Sequence, residues 1–142
     1  MPPTVIPAGS RPLAGAPGLV ILVDDDAAVR RALTFSLELE GLTVLAHEGG
    51  ASLLAAPPTG AACLVVDYYM PGMDGVTLVE RLREACRELP TILITAKADP
   101  DMRARAAAAG IALVLEKPLE DAALVDGIRA ALAAAEALRA RP

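Results

Sequence analysis

The sequence predicts an α/β protein, a doubly wound parallel sheet of five strands with helices on both faces. Three observations point there. Short apolar runs alternate five times with longer segments of helical periodicity, and parallel strands need crossover connections of that length. The runs are continuously apolar rather than alternating, as strands buried on both faces are. The 142 residues suit a single core. With 54% hydrophobic residues but only one Phe, two Tyr and no Trp, that core must be built from Leu, Val, Ile and Ala.

In chain order, residues 1–18 (MPPTVIPAGSRPLAGAPG) are rich in Pro, Gly and Ala. Such a composition buries little surface and reads as a flexible leader, so the folded domain is expected over residues 19–140. LVILV opens it as the first strand, followed by a helix from about Ala27 to Glu40 that Gly41 ends. TVLA and ASLLAA form a second strand and a short helix, and ACLVV a third strand leading to the helix VTLVERLREAC. TILIT is the fourth strand; Asp99-Pro100 supplies an N-cap and a first-turn proline for DMRARAAAA, which Gly110 closes. IALVL is the fifth strand, and a last helix from about Glu120 to Arg139 aligns Leu124, Ile128, Leu132, Ala135 and Leu138 on one face.

The formal net charge is −5 and the basic residues are interspersed with acids, so no nucleic-acid footprint is expected. No apolar run approaches the ~20 residues needed to span a bilayer, and the leader lacks the basic segment and apolar core of a secretory signal. Cytoplasmic location is therefore expected, without membrane contact. Cys63 and Cys86 have no CxxC or Cys/His spacing and read as buried thiols.

Ligands of open α/β sheets bind beyond the carboxyl ends of the strands. The residues there are Asp24, Asp25 and Asp26 after LVILV, Asp67 after ACLVV, Thr95 at the end of TILIT, and Glu116, Lys117 and Pro118 after IALVL. Carboxylates gathered at one point repel one another, so Asp24, Asp25 and Asp67 together call for a cation. A hard ion such as Mg²⁺ suits carboxylates plus a phosphoryl oxygen, whereas the missing thiols and imidazoles disfavour Zn²⁺. A carboxylate can take a phosphoryl group once positioned cations offset the repulsion. Mg²⁺ and Lys117 would do so here, with Thr95 offering a hydroxyl to a phosphoryl oxygen and Ala96 leaving room.

These residues resemble the receiver domains of two-component response regulators. The resemblance covers Leu19 to about Ala134 and is carried by VILVDDDAAVR, VVDYYMPGMDG, LITAKA and LEKPLED, each following its own strand. The wording around Met70 to Gly75 and Glu116 to Pro118 is closest to receivers of nitrogen-fixation and nitrate-type regulators. The resemblance implies a flavodoxin-like sheet in strand order 2-1-3-4-5. It implies Asp67 as the aspartyl-phosphate site, and Thr95 and Lys117 as binders of phosphoryl oxygens. Asp25 and Asp67 would hold Mg²⁺ by their side chains, Tyr69 by its carbonyl and Asp24 through water. The Lys117-Pro118 bond is expected to be cis. The implied partner is a sensor histidine kinase or histidine phosphotransfer protein, and the protein is a phosphoaccepting switch rather than an enzyme.

The implied readout surface is the fourth helix, fifth strand and fifth helix, where Arg103 and Arg105 facing Asp121 and Asp126 would support a homodimer. One departure stands out: Val114 occupies the place, three residues before the lysine, where the family usually has an aromatic that turns inward with the threonine. Tyr69 and Lys97 stand at positions that tune phosphoryl lifetime, and a tyrosine there could obstruct attacking water.

Plainer roles suit other residues. Asp26 is expected to cap the first helix, His47 to be a surface or satisfied histidine, and Met70 and Met73 to pack the loop. Two other functions compete. An aspartyl-phosphate hydrolase of the haloacid dehalogenase type wants a second acid that Asp67-Tyr68-Tyr69 lacks, and a non-phosphorylated pseudo-receiver is disfavoured by the intact acceptor, acid pair, Thr and Lys. With AALAAAEALRARP as the last stretch, the expectation is either a stand-alone receiver or one separated from a DNA-binding partner domain.

Overall fold

A computed structural model describes residues 18–58, 62–85 and 89–139, apart from the side chains of Asp121, Leu138 and Arg139. The rest of the leader and Cys86, expected to be a buried thiol, lie outside the described residues. The elements are β1 (Leu19–Val23), α1 (Ala27–Leu39), β2 (Thr43–His47), α2 (Gly50–Ala55), β3 (Cys63–Asp67), α3 (Gly75–Ala85), β4 (Thr91–Thr95), α4 (Pro100–Ala108), β5 (Leu113–Glu116) and α5 (Asp121–Arg139). All strand pairs are parallel and the order is β2-β1-β3-β4-β5.

Burial follows this order. Every residue of β1, β3 and β4 is buried, whereas edge strands β2 and β5 are partly exposed. Alternate side chains on the central strands feed two cores. Leu19, Ile21, Val23, Leu64, Val66 and Leu93 meet Leu53 of α2, Leu78 and Leu82 of α3, and Met102 and Ala106 of α4. On the opposite face Val20, Leu22, Cys63, Val65, Ile92 and Ile94 meet Leu37 of α1 and Leu124, Val125 and Ile128 of α5. The α5 stripe is thus core from Leu124 to Ala135, which is also buried, with Leu132 partly so; the Leu138 side chain lies outside the described residues. The fully buried residues of both cores are aliphatic or sulfur-bearing, and such cores draw on many small dispersion contacts at high packing density.

The helix ends are chemically specified. Asp26 lies in the extended region and its carboxylate accepts from Ala28 N and Val29 N, capping α1; Asp99 does the same for α4 through Met102 N. At the other end, Gly41 and Gly110 adopt φ of +85° and +80°. Gly41 N bonds Glu38 O and Leu42 N bonds Leu37 O; likewise Gly110 N bonds Ala107 O and Ile111 N bonds Ala106 O. This paired pattern satisfies the last carbonyls and buries the apolar residue after the glycine. Ile111 is therefore part of the α4 terminator, and β5 begins at Leu113 rather than at the expected Ile111. At β3 the strand runs one residue beyond ACLVV, because Asp67 pairs with Ile94 and Tyr68 N donates to Ile94 O at 2.8 Å.

Candidate functional site

Parallel register brings the carboxyl ends of β1, β3, β4 and β5 to one edge, with Val23 opposite Val66, Asp67 opposite Ile94 and Thr95 opposite Glu116. The edge beyond β1 and β3 is where the chain winds in opposite directions, the crevice of such sheets. There Asp24, Asp25 and Asp67 each offer a carboxylate oxygen, and these oxygens lie within 4.8 Å of one another. Asp24 and Asp67 are buried while Asp25 is exposed.

The charges are only partly offset. Lys117 Nζ lies 3.3 Å from Asp67 Oδ2, while Asp67 Oδ1 is buried without a hydrogen-bond partner among the described residues. Asp24 Oδ1 accepts from Asp26 N at 2.9 Å, and Arg30 Nη1 donates to the Asp24 carbonyl oxygen at 2.7 Å. Burial raises the Asp24 carboxyl above its ordinary value and the Asp67 charge adds to this, against the opposing Asp26 hydrogen bond and Lys117. Three carboxylates facing one lysine, one of them with a buried free oxygen, fit a hard divalent cation.

Thr95 is fully buried at the end of β4. Its hydroxyl donates to Lys97 O at 3.1 Å and accepts from Lys97 N at 3.3 Å, so it braces the β4–α4 loop. Tyr69 is 57% exposed, and its ring meets that of Tyr68 edge to face at 4.8 Å between centroids. The Lys117-Pro118 bond is cis, as expected. Val114 is half-buried against the α3/α4 core.

Other expectations were met in part. His47 ends β2; its Nδ1 lies 2.7 Å from Ser52 Oγ, but Nε2 is buried with no partner among the described residues, and burial lowers its pKa. Met70 and Met73 pack against the α3/α4 core, as expected of loop residues. Burial pushes the Cys63 thiol up to about 12, consistent with an inert buried thiol.

Within the chain Arg105 has partners of its own: its Nη1 lies 3.0 Å from Tyr68 Oη and 3.3 Å from Asp74 Oδ2. Asp74 Oδ1 accepts from Thr77 N at 2.8 Å. Burial alone would raise the Asp74 carboxyl, but the hydrogen bonds from Thr77 and Arg105 outweigh it and hold the group low. This cluster had no signal in the sequence, because spacing does not disclose which way a helix-borne arginine points.

Comparison with known proteins agrees with this geometry. Residues 20–129 match the family model described as the response regulator receiver domain. The transcriptional regulatory protein FixJ of Azorhizobium caulinodans is 39% identical over 114 residues, 80% of this chain and 54% of that protein. The C4-dicarboxylate transport transcriptional regulatory protein DctD of Pseudomonas aeruginosa is 40% identical over 114 residues, covering 80% of this chain but 25% of that protein. The crystal structure of FixJ-N superposes with a TM-score of 0.75 at 36% identity, covering 81% of this chain and 93% of the other. Five parallel strands in the order 2-1-3-4-5, with the acidic crevice at their carboxyl edge, define a phosphoaccepting switch module of two-component signalling. The chain belongs to the response regulator receiver domain family.

The chain thus spans about half the length of its FixJ relative. Receiver domains in general bind Mg²⁺ at an acidic cluster and work with histidine kinases or phosphotransfer proteins. Among the described residues, no helix is long and apolar enough to cross a membrane.

Proposed function

We propose that Asp67 accepts a phosphoryl group from a sensor histidine kinase or histidine phosphotransfer protein. The observation that carries this reading is the Asp67 carboxylate itself. It is buried at the crevice, has Oδ2 paired to Lys117, and has Oδ1 without a partner among the described residues. Oδ1 attacks phosphorus as the bond from phosphorus to the donor histidine nitrogen breaks, and the electron pair stays with the leaving imidazole. Lys117 holds the carboxylate oriented and offsets charge on the phosphoryl oxygens. The Thr95 hydroxyl exchanges the Lys97 carbonyl for a phosphoryl oxygen.

Asp25 and Asp67 would hold Mg²⁺ by side-chain oxygens, Tyr69 by its carbonyl and Asp24 through water. When bound, the ion neutralises charge on the carboxylates and on the incoming phosphoryl group. Phosphorylation adds about −1.5 to −2 charge, enough to bias a bistable loop and helix. The protein on this reading is a cytoplasmic switch that assists its own phosphorylation and dephosphorylation rather than an enzyme. Residues 19–140 form the receiver and residues 1–18 its leader.

The relatives named above are transcriptional regulators, and the output here is proposed to be of that kind, through a partner or a further domain. For a homodimer through α4, β5 and α5, Arg103 rather than Arg105 is the exposed arginine not committed to Asp74. Sedimentation with and without a phosphoryl mimic tests it: self-association with the mimic supports the dimer, and monomer mass in both states refutes it.

The test of the main reading is labelling by a small-molecule phosphodonor with Mg²⁺. Wild type is expected to take up label stoichiometrically, and Asp67→Asn and metal-free wild type to take up little. Label that survives Asp67→Asn would refute the assignment.

A further inference from the structure

Val114 lacks the ring expected to follow Thr95 inward, so a route from Asp67 to the surface through that ring does not exist in this chain. A different connection is built. From α4, Arg105 reaches Tyr68 Oη at 3.0 Å and Asp74 Oδ2 at 3.3 Å, with Nη2 3.5 Å from Thr77 Oγ1. Tyr68 directly follows Asp67, and its backbone is fixed on both sides: N–H donates to Ile94 O at 2.8 Å and C=O accepts from Gly75 N at 3.0 Å. Asp74 caps the first turn of α3 through Thr77 N. One guanidinium therefore grips both ends of the loop 68–74, and Tyr69 lies inside it.

A loop already fixed at both ends loses less freedom when a ligand orders it, and that saving appears as affinity. Coupling between two sites is reciprocal, so whatever state of the crevice tightens this loop also tightens its hold on α4. The second tether of α4 is Thr95, whose hydroxyl braces Lys97 in the loop that enters the helix.

We propose that Arg105 is a positioning residue. By pinning Tyr68 and Asp74 it raises the affinity of the acidic crevice for a divalent cation and carries changes at Asp67 to α4; the second half rests on Asp67 being the phosphoacceptor. The side chains of Arg105 and Asp74 are 43% and 31% exposed, and exposed pairs of this kind are weak. The effect is therefore about two- to fivefold in affinity rather than an all-or-none loss.

The test is Mg²⁺ titration of the full chain, followed by the NMR shift of the Tyr69 amide, in wild type, Arg105→Ala, Tyr68→Phe and the double variant. Tyr68→Phe removes only the hydroxyl and keeps the ring packed against the α3/α4 core, so it reads the contact even where Arg105→Ala loses stability. Each single variant is expected to bind Mg²⁺ about two- to fivefold more weakly, and the double variant no more weakly than the weaker single. The response of α4 amides to acetyl phosphate is expected to shrink in the same variants. A lowered urea midpoint with wild-type Mg²⁺ affinity would make Arg105 merely structural and overturn the proposal, as would fully additive losses. Absent labelling of wild-type Asp67 would overturn the phosphoacceptor reading instead, while the Mg²⁺ affinities still decide the role of Arg105.

Discussion

Replacing Gly75 with alanine would set a Cβ 2.7 Å from the carbonyl oxygen of Asp67, 3.2 Å from its carbonyl carbon and 2.9 Å from Leu93 Cδ1. Close carbon–oxygen contacts ordinarily run at about 3.3 to 3.6 Å, so the helix start and the strand end must separate by roughly half an ångström. Neither side yields cheaply. The Asp67 backbone is in register with β4, and Gly75 N is bonded to Tyr68 O. Overpacking of this kind costs about 1 to 3 kcal/mol. It also displaces the residue proposed to accept phosphate, and misplacement on this scale slows a reaction by about tenfold, given ~100-fold for 1 Å.

Gly127 is the control. Its Cβ would meet Leu113 Cδ2 at 2.8 Å and Ile92 Cδ1 at 3.3 Å, both ends of flexible side chains. An interior helix position gains about 1 kcal/mol on going from Gly to Ala. Urea unfolding should therefore show Gly75→Ala destabilised by about 1 to 3 kcal/mol and Gly127→Ala within about 1 kcal/mol of wild type. Acetyl phosphate labelling should slow only in the former. A Gly75→Ala protein as stable as wild type and labelled at the same rate would refute the argument.

Three further outcomes are expected. Asp24→Asn keeps an oxygen for the Asp26 N–H but removes one of three clustered charges, so in Mg²⁺-free buffer its urea midpoint should rise, by a stability gain on the order of 1 kcal/mol. A midpoint below wild type would contradict this. The Asp74 carboxyl is held below its ordinary 3.8; its contribution to stability is thus present above the unfolded value and lost as pH falls through the lower folded value. NMR titration should find it below 3.8 and closer to that value in Arg105→Ala; equal values in both proteins would count against the pairing. Cys63, with its thiol pushed up to about 12, should resist alkylation near pH ~8 while folded and react in denaturant, because the thiolate is the reactive species. Peptide mapping separates it from Cys86, and labelling of native Cys63 would be the contrary result.

The strands and helices were legible because their signals are local. Continuous apolarity marked β1, β3 and β4, and Asp99-Pro100, Gly41 and Gly110 marked helix ends whose hydrogen bonds the structure bears out. The start of β5 was misread, because an apolar residue such as Ile111 serves equally well in a strand or as the anchor behind a helix-ending glycine. At the crevice, the meeting of Asp24, Asp25, Asp67 and Lys117 was legible, since a parallel sheet delivers strand-end residues to one edge. The Arg105 cluster was not. It depends on a rotamer choice between neighbouring acids and a tyrosine hydroxyl, which only the packed positions of α3 and α4 decide. The half-satisfied state of His47 was hidden for the same reason.

The central claim is that the phosphoryl group is carried as an acyl phosphate on Asp67. After labelling with acetyl phosphate and Mg²⁺, borohydride reduces an acyl phosphate to the alcohol, which turns the modified aspartate into homoserine. Mass-spectrometric sequencing is predicted to find homoserine at position 67 and unmodified aspartate at 24 and 25. An intact Asp67, with homoserine at another aspartate or a stable phosphate on a hydroxyl, would contradict the account.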